Sequence, residues 1–327
     1  MSRGLRVGLL AVLFLATLAA TAWLIGKLPG GVGPILALAA RIAPRDWLLL
    51  GVATALFYFL DYVRFASLLS LLGLRIGPLA GLELTSVSYF VSTLTPTADL
   101  HLPAMVFLLV RRGLPAARAA AASLTKSIYQ VTWICVIALT ALGVSGEGGP
   151  RLPAAAQATL WAAAVPLIII LVIFAVLIAI PERVARVAAA RRGRLWDGLA
   201  DTARTLATLG RSGDRMHLVC HAGSIAFVFV YIAIGWWLAR ALGIDLGFAR
   251  AIPIFAASLM VAYLAPVPGS IGVTEVVTSY LIDPGLSPAA LATAILLRVL
   301  CWYLVIAPGA LLLLRAAWQA AHRRPTP

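Results

Sequence analysis

The sequence predicts an all-α, polytopic membrane protein with inverted-topology repeats and two re-entrant helical hairpins, forming one membrane domain over residues 1–327. Three observations carry this. Hydrophobic residues make up 62% of the chain and charged residues 12%, with a mean hydropathy of +1.00, whereas about a quarter of a soluble domain is charged. Sliding the chain by 170 residues pairs Leu72, Gly73, Gly77, Ser88, Val91, Leu94 and Pro96 with Leu242, Gly243, Gly247, Ser258, Val261, Leu264 and Pro266 without a gap. After a two-residue adjustment, Gly113 and Leu114 fall on Gly285 and Leu286, and Lys126 falls on Arg298. Finally, each copy contains an apolar stretch broken midway by Pro, Gly and polar residues, as expected where a helix enters the bilayer and turns back.

Taken in order, Met1 to Ile25 has a basic start and an apolar run but no clean small-x-small cleavage site before Lys27. Leu5 to Ile25 is therefore expected to be a retained span rather than a signal peptide. Trp47 to Val63 is the next span and opens repeat one, about 47–142. Leu79 to Thr95 and Pro103 to Val110 form a hairpin around the tip Pro96 to His101, since each arm is marginal or short against the roughly 20 residues a crossing needs. Ala116 to Leu142 closes the repeat, and Ala155 to Ile180 leads into a basic linker, 181–215. Repeat two, about 218–314, runs through Leu218 to Leu242, the arms Ala251 to Ala265 and Val273 to Ile282 around the tip Pro266 to Gly272, and Pro288 to Leu314.

Charge sets the orientation. With the N-terminus cytoplasmic, eighteen of the 26 basic residues fall on the cytoplasmic side, among them Arg64, Arg111, Arg112, Arg315 and the run Arg183 to Arg215; six fall outside and Lys126 and Arg298 lie within spans. This asymmetry follows the positive-inside rule, puts both termini in the cytoplasm and makes the repeats run in opposite senses. The net charge of +14 does not point to nucleic acid, because most basic residues sit in short runs at the ends of apolar segments. In the linker, Leu195, Trp196, Leu199, Ala203 and Leu206 form an apolar stripe beside eight arginines. It reads either as an amphipathic helix on the anionic cytoplasmic leaflet or as a solvated connector whose arginines set topology.

Few residues carry chemistry. Lys126 lies ten residues into its span, with Ser123, Ser127 and Gln130 on the same face. Such a stripe faces the protein interior or water, unless the lysine snorkels to the headgroups. Arg298 holds the matching place in the second repeat, ten residues after Pro288, with Trp302 one turn on. Glu275 begins the arm after the Pro268-Gly269-Ser270-Ile271-Gly272 tip. It is either a helix cap or the partner of a cation such as Arg298. Gly269, Ser270 and Gly272 are candidate ligand contacts through close backbone approach and free N–H groups. Asp99 and His101 at the inner tip are either ligand groups or hydrated loop residues.

Sharper chemistries find no support. His217 and His221 have i, i+4 spacing but no accompanying HExxH glutamate or third nearby ligand. Ser270 follows a helix rather than a strand, unlike a nucleophile elbow. Cys135, Cys220 and Cys301 form no CxxC pair. There is no Walker sequence, so neither a metal, a nucleotide nor another cofactor is expected.

Thr95-Pro96 followed by Pro103, the run Phe107 to Leu114, Lys126 with Tyr129-Gln130, and Pro266 to Glu275 together resemble the lysylphosphatidylglycerol synthase transmembrane family of flippase-like proteins. The resemblance covers nearly the whole chain, and its proline, glycine and glutamate segment is the most specific part. Where the family usually has a glycine pair before the proline matching Pro103, this chain has Leu100, His101 and Leu102. Members with a second, soluble aminoacyltransferase domain synthesise and flip aminoacylated phospholipid; a chain without that domain is expected to translocate lipid rather than act as an enzyme. The expectation is a bacterial inner-membrane protein handling a phospholipid or other polar lipid, as the resemblance implies, with an anionic headgroup attracted by Lys126 and Arg298. With no ATP site, exchange is expected to be energy-independent or coupled to an ion gradient. An accessory subunit presenting lipid to a separate lipid-modifying enzyme is the alternative, and a membrane-embedded transferase a weaker third.

Overall fold

A computed structural model describes residues 33–94, 101–144, 165, 168–169, 171–173, 175–176, 179–190, 193–212, 214–264 and 268–322. The expected first span, most of Ala155 to Ile180, residues 95–100 with Asp99, and residues 265–267 lie outside them. Among the described residues every regular element is helical. They comprise α1 Gly33–Ala39, α2 Pro44–Leu71, α3 Pro78–Leu94, α4 His101–Arg111, α5 Ala116–Val144, α6 Pro181–Ala189 and α7 Arg194–Arg211. The second half holds α8 Arg215–Ala241, α9 Phe248–Leu264, α10 Val273–Ile282, α11 Pro288–Cys301 and α12 Ile306–His322. Four stretches are long and apolar enough to cross a membrane: Pro44–Leu71, Ala116–Ala141, Arg215–Ala241 and Pro288–Ala316.

The two halves present matched series. Helices α2, α3, α4 and α5 have 28, 17, 11 and 29 residues, and α8, α9 and α10 have 27, 17 and 10. Their ends match as well. Helix α2 closes at Gly73 (φ +82°) with Leu74 N–H donating to Leu69 O at 2.9 Å, and α8 closes at Gly243 (φ +83°) with Ile244 N–H donating to Ala239 O at 2.9 Å. A left-handed residue just past the helix lets the chain return those N–H groups to the last carbonyls, a geometry that favours glycine. The two halves differ at the following turn: Gly113 takes φ +93°, whereas beside Gly285 it is Leu286 that has positive φ, +52°. There Asp283 accepts from the N–H groups of Gly285 at 2.9 Å and Ser287 at 3.2 Å. The Ser287 hydroxyl and these N–H groups hold its carboxyl below the usual range.

The expected crossing from Pro288 to Leu314 is present as Pro288–Ala316, but within it two helices are joined by a turn at Tyr303–Val305. Pro308 accounts for the break. A proline lacks the N–H and its ring collides with the carbonyl four residues earlier, here Leu304 inside the turn, while its own place in the first turn of α12 is tolerated.

Helix α2 runs through Arg64 to Leu71, beyond the expected end at Val63, because Leu50, Thr54, Phe57, Asp61, Arg64 and Leu68 form one buried stripe. Its other side exposes Leu48, Val52 and Phe59, as a lipid-facing surface does. The buried stripe packs on α8, where Phe57 stacks on Phe227 with centroids 4.2 Å apart. Gly223 of α8 faces Arg64, and a Cβ there would lie 3.3 Å from Arg64 Cβ. Across the molecule, α12 crosses α3 at Gly309, where an added Cβ would lie 2.1 Å from Ser86 O. The apolar stripe of α7 is partly used within the protein: Leu206 and Leu209 pack against Ala121 of α5, and Leu199 stays exposed.

Candidate functional site

Asp61 is the centre of the first polar cluster. It is fully buried, and its two oxygens receive four donors. Arg64 donates to Oδ1 through Nε at 3.0 Å and through Nη2; Lys126 Nζ and Thr85 Oγ1 each reach Oδ2 at 2.9 Å. Arg64 Nη2 also donates to Gln130 Oε1 at 2.6 Å, and Gln130 Nε2 donates to the Tyr263 hydroxyl, which ties α5 to α9. Arg64 and Asp61 meet because they are one turn apart on the buried stripe, and Lys126 and Gln130 because they are one turn apart on α5. Aromatic faces complete the lining: Arg64 lies 4.2 Å from the Phe227 centroid and Lys126 5.0 Å from that of Phe65.

Two cations share one carboxylate, leaving a net positive charge at a site where Arg64 is 1% and Lys126 7% exposed. Arg64 Nη1 is buried without a hydrogen-bond partner. Arg64 also lines a cavity of about 40 Å³, with Asp61, Tyr89, His101, Lys126, Ser127 and Gln130 from the first half and Tyr263 and Trp302 from the second among the other lining residues. That volume suits a few ordered waters.

The second cluster lies around Glu275, where both expected roles are realised at once. Its Oε2 accepts from Gly272 N–H at 2.8 Å, capping α10, while Oε1 faces Arg298 Nε at 3.4 Å and accepts from the Tyr303 hydroxyl at 2.9 Å. Arg298 Nε makes no hydrogen bond, so the pair is electrostatic; its Nη2 donates to Gly269 O. Gly269 adopts φ +59°, and a Cβ there would stand 3.0 Å from Thr93 Cα, so close is the approach of this turn to the end of α3. Ser270, at φ +57°, donates to Ala262 O. Trp302 links the clusters, lining the small cavity and lying 4.6 Å below the Arg298 guanidinium.

The sequence candidates therefore divide. Lys126, Gln130 and His101 share the cavity; Arg298, Glu275, Gly269 and Gly272 form the second cluster; Ser270 braces the tip; Asp99 lies outside the described residues. Arg64 is a correction: counted above with the cytoplasmic cations, it is buried and paired, because its helix continues past it. Asp61, Tyr89 and Tyr263 were missed altogether. The signal for Asp61 was its place, with Arg64, in the α2 stripe of otherwise core residues. The repeat alignment pointed away from it, since Asp61 falls on Tyr231, and the second half takes its carboxylate from α10.

His217 and His221 engage no third metal-ligand side chain, and among the described residues no metal-ligating cluster exists. His217 pairs with the Tyr129 hydroxyl and the Ser212 hydroxyl, both at 2.8 Å, and His221 accepts from Trp133 Nε1 at 3.1 Å beneath the Tyr129 ring.

One family model, described as the lysylphosphatidylglycerol synthase TM region, matches residues 35–309, which includes both clusters. No curated protein and no solved structure matches the chain.

Proposed function

The chain belongs to the lysylphosphatidylglycerol synthase transmembrane-region family, and on that premise we propose that it moves a polar, anionic lipid between the leaflets of the membrane. The headgroup is held at the Asp61, Arg64, Lys126 and Gln130 cavity while the acyl chains remain in lipid. One observation carries this reading. A buried carboxylate shared by two cations, with Arg64 Nη1 unpartnered, leaves an excess positive charge that an anionic headgroup neutralises.

At about 40 Å³ the cavity is too small for a headgroup, so entry requires the halves to part. Its lining comes from both halves, which suits alternate opening to either side. Inverted repeats with re-entrant hairpins belong to the same proposal. Arms of 17, 11, 17 and 10 residues fall below the roughly 20 a crossing needs. The matched helix series supports duplication, and the contact of Gly269 with Thr93 suits two tips meeting from opposite sides. The basic linker faces the anionic cytoplasmic leaflet of the bacterial inner membrane, with Leu206 and Leu209 against the protein. The lipid is moved and not chemically altered.

Purified protein in liposomes with labelled anionic and zwitterionic lipids tests the proposal. Faster exchange of the anionic lipid between leaflets is expected, and Lys126→Gln and Gly269→Val should each slow it while still inserting. Exchange no faster than in protein-free vesicles overturns transport in favour of a subunit that only presents lipid.

A further inference from the structure

At the end of the helices away from the central clusters, α3, α4 and α12 enclose a second cavity of about 320 Å³. Arg111, Arg112 and Arg315 line it, opposed by the one carboxylate of Glu83. The arginines are not equivalent. Arg111 is spent on the protein, donating to Ala316 O and to Gln319 Oε1 at 3.2 Å, which fastens the end of α4 to α12. Arg112 pairs with Glu83 through Nη2, yet its Nη1 is buried without a hydrogen-bond partner. Arg315 is exposed, and no ion pair or hydrogen bond engages it among the described residues. The pocket thus has a net positive charge, an orphaned guanidinium nitrogen and a free guanidinium, within a volume that accommodates a ligand.

Phe107 and Leu311, one turn back along α4 and α12 from Arg111 and Arg315, are 38% and 68% exposed. Leu108 and Leu312 line the pocket itself, and Phe107 and Leu311 add exposed apolar surface on the helix bodies one turn from the arginines. We propose that this pocket is a phosphate-binding site, separate from the central cavity, whose ligand is the phosphate of an anionic lipid or a free phosphate group. Arginine suits either, since its planar fork meets phosphate oxygens in pairs. The pocket does not rest on the transport reading, because none of its residues lines the central cavity.

Full-length protein in phosphatidylcholine nanodiscs, with and without phosphatidic acid, and separately with inorganic phosphate, tests this by thermal stabilisation. Phosphatidic acid is expected to raise the melting temperature, and Arg315→Gln to weaken its apparent affinity about tenfold, the scale of one charged hydrogen-bonding group. The paired change Glu83→Gln with Arg112→Gln, which removes both charges together, is expected to weaken it as well. An Arg315-dependent shift with phosphatidic acid alone identifies a lipid headgroup; the same shift with inorganic phosphate identifies a site for phosphate itself. If neither ligand's effect depends on Arg315 or on the Glu83 and Arg112 pair, the site does not exist.

Discussion

Asp61 is the residue whose loss the protein should tolerate least. It is the single carboxylate shared by two cations, so Asp61→Asn leaves Arg64 and Lys126 buried as like charges, whereas Lys126→Met leaves a neutral Asp61 and Arg64 pair. Stranding a buried charge costs about 3–5 kcal/mol. In thermal melts of purified protein Asp61→Asn is therefore expected to lie well below Lys126→Met, and equal melting temperatures would show that the carboxylate is not the hub. The same arithmetic makes the halves different in kind. Glu275 and Arg298 balance each other, with the spare oxygen used as a helix cap, so that only the first-half cluster has charge left over for a ligand.

Among the elements, the crossing of α3 with α12 depends on Gly309. A methyl group there would stand 2.1 Å from a backbone carbonyl oxygen, which no rotamer change relieves. Gly309→Ala is expected to destabilise by at least the 1–3 kcal/mol typical of overpacking, seen as a lower melting temperature and easier proteolysis near α12. Gly51 is the control. It lies in an exposed part of α2 with nothing within 4 Å of an added Cβ, so Gly51→Ala should be neutral or stabilise by up to about 1 kcal/mol. A comparable loss from both would mean that the crossing is looser than its geometry. The break before α12 belongs to this scale too, since it turns Trp302 towards Arg298 and lets Tyr303 reach Glu275.

For the whole molecule, the cysteines make the orientation measurable. Cys135, Cys220 and Cys301 are all buried and free, which leaves a low background for an impermeant thiol reagent. A cysteine introduced in the linker 181–215 is expected to be protected in intact cells, and one placed near Glu147 to react. The opposite pattern would invert the assignment of sides. Removing Arg64 from the cytoplasmic tally leaves the asymmetry intact, because the run from Arg183 to Arg215 dominates it.

The sequence by itself determined what depends on composition, spacing and local chain geometry. Apolar length located the four described crossing stretches and the short arms, and Lys126, Arg298 and Glu275 stood out as charges within apolar surroundings. Only the tertiary structure decided which charges are neutralised and by whom. Asp61 and Lys126 are 65 residues apart, so no local pattern joins them. Likewise, whether Arg64 ends a span or lies within one is set by the packing of α2 against α8, since an arginine at a helix end and one in a buried stripe look alike until a neighbour covers it. The break at Trp302 was written in Pro308, but what it achieves is visible only once Arg298 and Glu275 stand beside it.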